Sequence, residues 1–184
     1  MPFGSLWLPV LLTTVATFVA CSLAWAVLPH HKNDFQKLPD EEGFRRVVGP
    51  IAPGQYHVPW AATREDYKSA AWEAKVAEGP KGLLRIWPRG PIKMTGFLVK
   101  QAIYLFVTAF VIGYILRHAL HAGDPAMDVF RMATSVALCA HCLALIPESI
   151  WFGKPWCATW KSVADGIAYA LITGGIFAAL WPKG

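Results

Sequence analysis

Charged side chains are scarce in this sequence. Asp, Glu, Lys and Arg make up only 16% of the 184 residues, whereas soluble domains contain about 25%. Hydrophobic residues make up 55% of the chain, and its mean hydropathy is +0.38. This deficit argues against an ordinary water-soluble domain and indicates a membrane protein.

The sequence also lacks the motifs of common soluble enzymes. It contains no His-Glu-x-x-His, no Walker A sequence, no Gly-x-Gly-x-x-Gly and no recognisable Ser/His/Asp arrangement. Together these absences disfavour a soluble type of enzyme. No catalytic residue and no cofactor are predicted.

Four hydrophobic runs are long enough to cross a bilayer, which takes about 20 apolar residues in a helix. They cover roughly residues 5–28, 94–119, 127–147 and 162–181. The predicted fold is therefore all-α: a polytopic membrane protein with four transmembrane helices. We divide it into helix 1 (residues 1–28), a partly helical cytoplasmic or interfacial segment (29–93) and helices 2–4 (94–184).

The distribution of positive charge predicts the orientation. Four spans place 14 of the 17 Lys and Arg residues on the side that carries 29–93 and the 148–161 loop. The positive-inside rule then places 29–93 in the cytoplasm and both termini outside it. The same asymmetry explains the net charge of +5 without nucleic acid as a partner. The first span lacks a positively charged leader and is too long for a signal peptide, so we expect it to remain as an anchor.

The 29–93 segment contains the signals of two short helices. Asp40 is placed to cap the stretch EEGFRRVV, and Thr63 with Asp66 resembles a capping box. Between them, the stretch GPIAPGQYHVPW has too many prolines for regular structure to be expected. With few large aliphatic residues, the segment is predicted to lie against the bilayer or a partner.

Small residues recur every fourth position in the last span and define a predicted helix-packing stripe. The stripe consists of Gly166, Ala170, Gly174 and Ala178.

Polar groups inside the spans are costly and need an explanation. Lys100 and Asp165 lie roughly 6–9 Å from the cytoplasmic interface, and His141 and Glu148 approach the same layer. These four form a predicted intramembrane polar cluster. A Lys100–Asp165 structural pair is favoured over a relay, because a relay needs acids in both leaflets.

Cysteines and histidines supply the weaker site candidates. Cys139 and Cys142 form a C-x-x-C that suits thiol redox chemistry or soft metal ligands. In span count and C-x-x-C alone, the chain resembles four-helix quinone-linked thiol oxidases, but it lacks their second, extracytoplasmic cysteine pair. His118 and His121, at i and i+3, are candidate haem or metal ligands.

His30 and His31 follow the first span directly. Because they are adjacent, they are expected to point apart and to serve as interface residues.

Three stretches, MPFGSLWLPV, LPDEE and SIWFGKPW, resemble a group of small bacterial inner-membrane proteins of uncharacterised function. The resemblance covers most of the chain and implies no activity and no residue role.

Three functions remain open. The leading hypothesis is a non-catalytic accessory or scaffold subunit of a larger bacterial inner-membrane assembly, such as an electron-transfer complex. Its partners would be the lipid bilayer and other membrane subunits, or further copies of itself. The second is an oligomeric carrier or channel that uses Lys100, His141 and Asp165. The third is a thiol-redox, haem-binding or metal-binding membrane protein.

Overall fold

The computed structural model describes residues 3–183; Met1, Pro2 and Gly184, which belong to the predicted first and last segments, lie outside the described residues. Within the described range, four helices are long and apolar enough to cross a membrane. They are span 1 (Gly4–Ala26), span 2 (Met94–Ala119), span 3 (Ala126–Phe152) and span 4 (Trp156–Ala179). The prediction of an all-α, four-span, multi-pass membrane protein is confirmed.

Within the described residues, the chain forms seven α-helices, four 3-10 turns and two strands. The α-helices are α1 (Trp7–Ala26), α2 (Glu41–Val48), α3 (Ala70–Glu78), α4 (Met94–Ala119), α5 (Ala126–His141), α6 (Ile146–Phe152) and α7 (Trp156–Ala179). The 3-10 turns are Phe3–Leu6, Pro29–His31, Asp66–Lys68 and Leu143–Leu145. The strands are β1 (Gly54–Val58) and β2 (Gly82–Ile86).

Spans 3 and 4 have different bounds from those predicted. Span 3 continues past Pro147 to Phe152, because a new helix, α6, starts at Ile146 and a proline is tolerated in a first helical turn. Span 4 starts at Trp156, directly after Pro155, rather than at Ser162. A hydrogen bond of 2.6 Å between the buried hydroxyls of Ser149 and Thr159 joins the two helices.

The chain divides into two compact units. The membrane unit contains residues 27–34 and the spans, except for the last three residues of span 3. The second unit contains residues 35–92 and 150–153. Residues 29–34, predicted to belong to the polar segment, are therefore grouped with the spans.

Small residues allow the spans of the membrane unit to approach closely. The stripe packs on span 3 of the same chain: a Cβ added at Gly166 would lie 2.9 Å from the His141 carbonyl oxygen, and one at Gly174 would lie 2.0 Å from Thr134 Oγ1. Spans 1, 2 and 4 also meet closely, because Gly113 of span 2 faces Val10 of span 1 and the fully buried Phe177 of span 4. Close backbone approach of this kind replaces the missing hydrophobic driving force between helices in lipid.

The predicted N-terminal cap is found in α2, whereas α3 is capped by a different residue from the one predicted. The Asp40 carboxylate accepts a hydrogen bond from the Gly43 N–H at 2.8 Å and caps α2 as predicted. Thr63 and Asp66 form the two reciprocal bonds of a capping box, but these precede a 3-10 turn. Ser69 caps α3 instead, accepting from Trp72 N–H.

The expectation of irregular structure between the two helices is wrong for residues 54–58. These residues form β1, which pairs antiparallel with β2 so that Gly54 lies opposite Ile86 and Val58 opposite Gly82. The prolines that discouraged a strand, Pro53 and Pro59, flank β1 and do not interrupt it.

Substitution of the stripe glycines tests the packing of spans 3 and 4. Gly174→Ala should destabilise the protein by about 1–3 kcal/mol, because its new methyl group overpacks the contact with Thr134 and Phe130. Gly175→Ala is the matched control, since nothing lies within 4 Å of a Cβ at that position. Thermal unfolding in detergent measures both; equal shifts would contradict the packing described.

Candidate functional site

A tight turn at the end of span 1 forms the first part of the site. Pro29 starts the 3-10 turn Pro29–His31, and the Lys32 N–H donates to the Pro29 carbonyl oxygen at 3.1 Å. The Asp34 N–H then donates to the His31 carbonyl oxygen at 3.0 Å. Proline suits this start because its φ is fixed and its missing N–H has no partner in the turn. The chain is thereby folded back so that His30, His31 and Asp34 are presented together.

Asp165 of span 4 is the centre of the site, because its carboxylate joins both histidines. His31 Nε2 lies 2.7 Å from Asp165 Oδ2, and His30 Nε2 lies 3.0 Å from Asp165 Oδ1. The two imidazole rings are 4.2 Å apart between centroids. The expectation that these adjacent histidines point apart is therefore wrong: the carboxylate has two oxygens, and each histidine contacts a different one.

A second carboxylate lies on the other side of His31. The distance between His31 Nδ1 and Asp34 Oδ2 is 2.6 Å, and Lys161 Nζ donates to Asp34 Oδ1 at 2.6 Å. Lys161 and Asp165 are four residues apart in α7 and so lie on the same helix face. Span 4 thus holds the turn at two points.

The interior of this network is shielded from solvent. The side chains of His31 and Asp34 are 3% and 6% exposed, and that of Asp165 is 14% exposed. The indole ring of Trp25 stacks on the His31 ring at 3.9 Å with an interplanar angle of 4°. His30 is 31% exposed and forms the open side of the site.

The neighbouring charges shift the protonation of the two buried groups that lie outside the spans. Burial of the His31 ring opposes its protonation, but the hydrogen bonds to Asp165 and Asp34 outweigh this effect and raise its pKa above the usual value. The Lys161 ammonium, followed by His31, lowers the pKa of Asp34. The arrangement favours an ionised Asp34 and a positively charged group between the two carboxylates.

The same positions suit a metal ion. Three potential ligand atoms, one each from His30, His31 and Asp165, lie within 4.8 Å of one another. Among the described residues, this is the group of His, Cys, Asp or Glu side chains placed to hold a metal ion. Neighbouring ligands of one ion with bonds of about 2.0–2.2 Å are roughly 3–3.5 Å apart, so the three atoms need only a small closure.

The predicted polar cluster is arranged differently. Asp165 is bonded to the two histidines and not to Lys100, which is exposed and has its Nζ 6.0 Å from the centre of the Phe97 ring. The Lys100–Asp165 pair is therefore not the arrangement found. His141 ends α5 with its ring 5.9 Å from that of Tyr169. The carbonyl oxygen of Glu148 accepts a bond from the Lys154 N–H.

The weaker candidates also lie apart from this site. His118 contacts the Tyr114 ring, and His121 lies beyond the end of α4, where its carbonyl oxygen accepts from Trp181 Nε1 at 2.8 Å. The pair therefore does not share one helical face as the i, i+3 spacing predicts. Cys139 is exposed, whereas Cys142 is buried with its thiol 3.7 Å from the Val163 carbonyl oxygen; both are free thiols.

Sequence reasoning missed four members of the site: His30, His31, Asp34 and Lys161. The signal was present as the string Pro-His-His-Lys-Asn-Asp immediately after a span. Two imidazoles and a carboxylate at the membrane boundary are a ligand-rich combination. No protein family, curated protein or solved structure matches this chain.

The substitution Asp165→Asn tests the role of this carboxylate in metal-free protein. We expect a loss of about 1.5–3 kcal/mol in unfolding free energy and faster hydrogen exchange in residues 29–34, because both histidines lose a charged acceptor. Asp128→Asn is the matched control, since Asp128 is 53% exposed and lies 3.8 Å from Arg131, so little change is expected. Hydrogen-exchange mass spectrometry in detergent measures the difference, and unchanged exchange in 29–34 would refute the role.

Proposed function

We propose that this multi-pass membrane protein binds a divalent transition-metal ion at the ends of spans 1 and 4. Its ligands are His30, His31 and Asp165. The observation that carries the proposal is the convergence of these three side chains, drawn from two distant parts of the chain, with a second carboxylate behind one histidine. Metal binding is one of the three functions that the sequence leaves open, but the ligands proposed here differ from the candidates His118, His121, Cys139 and Cys142.

The position of Asp34 supports metal binding. A histidine that binds a metal through one ring nitrogen typically donates its other N–H to a carboxylate, which fixes the ring orientation and the tautomer. His31 has this arrangement, with Nε2 toward Asp165 and Nδ1 2.6 Å from Asp34. Lys161 in turn holds Asp34 in place.

Charge balance also supports a cation. Asp34 and Asp165 contribute two negative charges and Lys161 one positive charge, so this part of the site is net negative when the histidines are neutral. A proton on His31 or a metal ion beside its Nε2 would compensate for that charge. A metal ion would also be bound by His30, whose Nε2 lies 3.0 Å from Asp165 Oδ1.

The donor set suggests the class of ion. Two imidazoles with one carboxylate suit Zn²⁺, Fe²⁺ and related first-row ions better than Mg²⁺ or Ca²⁺, which prefer oxygen ligands. Three protein ligands leave coordination positions for water or an exogenous ligand. Within the proposal, His30 and His31 bind the ion, Asp165 also neutralises it, and Asp34 and Lys161 are positioning residues.

The accessory-subunit hypothesis stays a prediction. One of its motives is weaker, because Gly166 and Gly174 of the stripe are buried against span 3 of the same chain. An accessory role and metal binding are compatible, as are the predicted bacterial inner membrane, cytoplasmic placement of 29–93 and termini outside the cytoplasm. With that orientation, the metal would lie on the cytoplasmic side.

Metal titration tests the proposal directly. Protein purified in mild detergent and treated with a chelator should bind one Co²⁺ per chain, measured by equilibrium dialysis with elemental analysis. His31→Ala and Asp165→Asn should abolish binding, and Asp34→Asn should weaken it about 10- to 100-fold because the ligand His31 loses its partner. Co²⁺ should also raise the melting temperature of the wild type but not that of the ligand variants.

The double variant His118→Ala/His121→Ala is the control for nonspecific histidine binding and should retain full Co²⁺ stoichiometry. Gel filtration and circular dichroism establish that each variant is folded. A wild-type protein that binds no Co²⁺, Zn²⁺ or Fe²⁺ would refute the proposal, and so would His31→Ala protein with unchanged affinity.

A further inference from the structure

A second candidate site lies in the second unit, where a groove of about 780 Å³ opens beside the strand pair. One wall is the end of α2 with Phe44, Arg45 and Val48, and the other is the chain after β2, from Ile86 to Arg89. The pairing of β1 with β2 ends at Gly54 and Ile86. The segment before Gly54 and the segment after Ile86 then separate, and the groove lies between them.

One hydrogen bond joins the two walls, and two more order the backbone of one wall. The Arg89 guanidinium donates through Nη2 to the carbonyl oxygen of Gly49, the residue that follows α2. The Gly49 N–H donates to the Arg45 carbonyl oxygen at 2.8 Å, and the Ile51 N–H donates to that of Val48 at 2.9 Å. The groove is therefore formed by ordered backbone as well as by side chains.

The lining combines positive charge with apolar surface. Arg45 and Arg89 are its charged members, and no acidic residue lines it. The remaining surface is largely aliphatic, aromatic and proline, including Trp87, which is 62% exposed. One of the five N–H donors of Arg89 is directed to Gly49, and a guanidinium can use its other donors to bind an anion.

We propose that this groove binds the headgroup of an anionic phospholipid. The phosphate would be bound by Arg45 and Arg89, and the glycerol and upper acyl chain would contact the apolar walls. Arginine suits this role because its planar fork matches phosphate oxygens.

Two observations favour lipid over a soluble phosphate or an acidic peptide. Only four residues separate Arg89 from Met94, the first residue of span 2, so the groove is close along the sequence to a membrane helix. Basic residues next to a span are attracted to anionic headgroups, at about 1 kcal/mol per Lys or Arg. In addition, the apolar lining offers an acyl chain a contact that inorganic phosphate cannot use.

The test uses the full chain in a neutral detergent and short-chain phosphatidylglycerol as the probe. Binding is followed by the rise in melting temperature and by native mass spectrometry. We expect Arg45→Gln to weaken binding about tenfold or more, because a charge-assisted hydrogen bond is lost. Arg46→Gln removes the same charge from the next residue of α2, which does not line the groove, and should bind nearly as the wild type does.

Two competitors identify the source of the phosphate. Short-chain phosphatidylcholine and glycerol 3-phosphate should each bind much more weakly than phosphatidylglycerol. Equal losses in the Arg45 and Arg46 variants would overturn the proposal in favour of diffuse charge attraction, and equal binding of glycerol 3-phosphate would overturn it in favour of a soluble anion. Arg45→Lys should recover part of the affinity and shows that the position tolerates substitution.

Discussion

A carboxylate within a membrane span must be paired, and this requirement governs the arrangement at one end of the membrane unit. Asp165 meets it by bonding to His30 and His31, which come from the turn after span 1. His31 is then buried and has its own partner in Asp34, which Lys161 neutralises. Each group is stabilised by the next, so the turn at 29–34 is ordered by the polar residues of span 4.

Helix packing determines where that carboxylate points. Gly166, the residue after Asp165, is buried against Cys142 and the His141 carbonyl oxygen of span 3. Successive residues of a helix project about 100° apart, so seating Gly166 on span 3 turns Asp165 to another side, where the end of span 1 lies. The small residues of span 4 therefore have two effects: they permit close helix contact, and they set the rotation that forms the site.

The sequence predicted contacts between residues close along the chain better than contacts between residues far apart along it. The α2 cap at Asp40 and the capping-box bonds of Thr63 and Asp66 depend on residues three positions apart, and the sequence shows them. The pairing of β1 with β2 joins segments separated by more than twenty residues, and no local pattern specifies it. The contact of His30 with Asp165 joins residues 135 positions apart, and no local pattern predicts it either.

The sequence by itself determined that the chain has four membrane helices, because length and hydrophobicity alone decide whether a segment can satisfy its backbone within lipid. It also identified Asp165 as a residue that needs an explanation, since an intramembrane charge is costly wherever it occurs. Only the tertiary structure decided which group pairs with Asp165: the sequence favoured Lys100 at the same membrane boundary, and the partners found are His30 and His31. That choice depends on helix rotation and on the fold of a six-residue turn, which arise from packing between segments far apart in the chain.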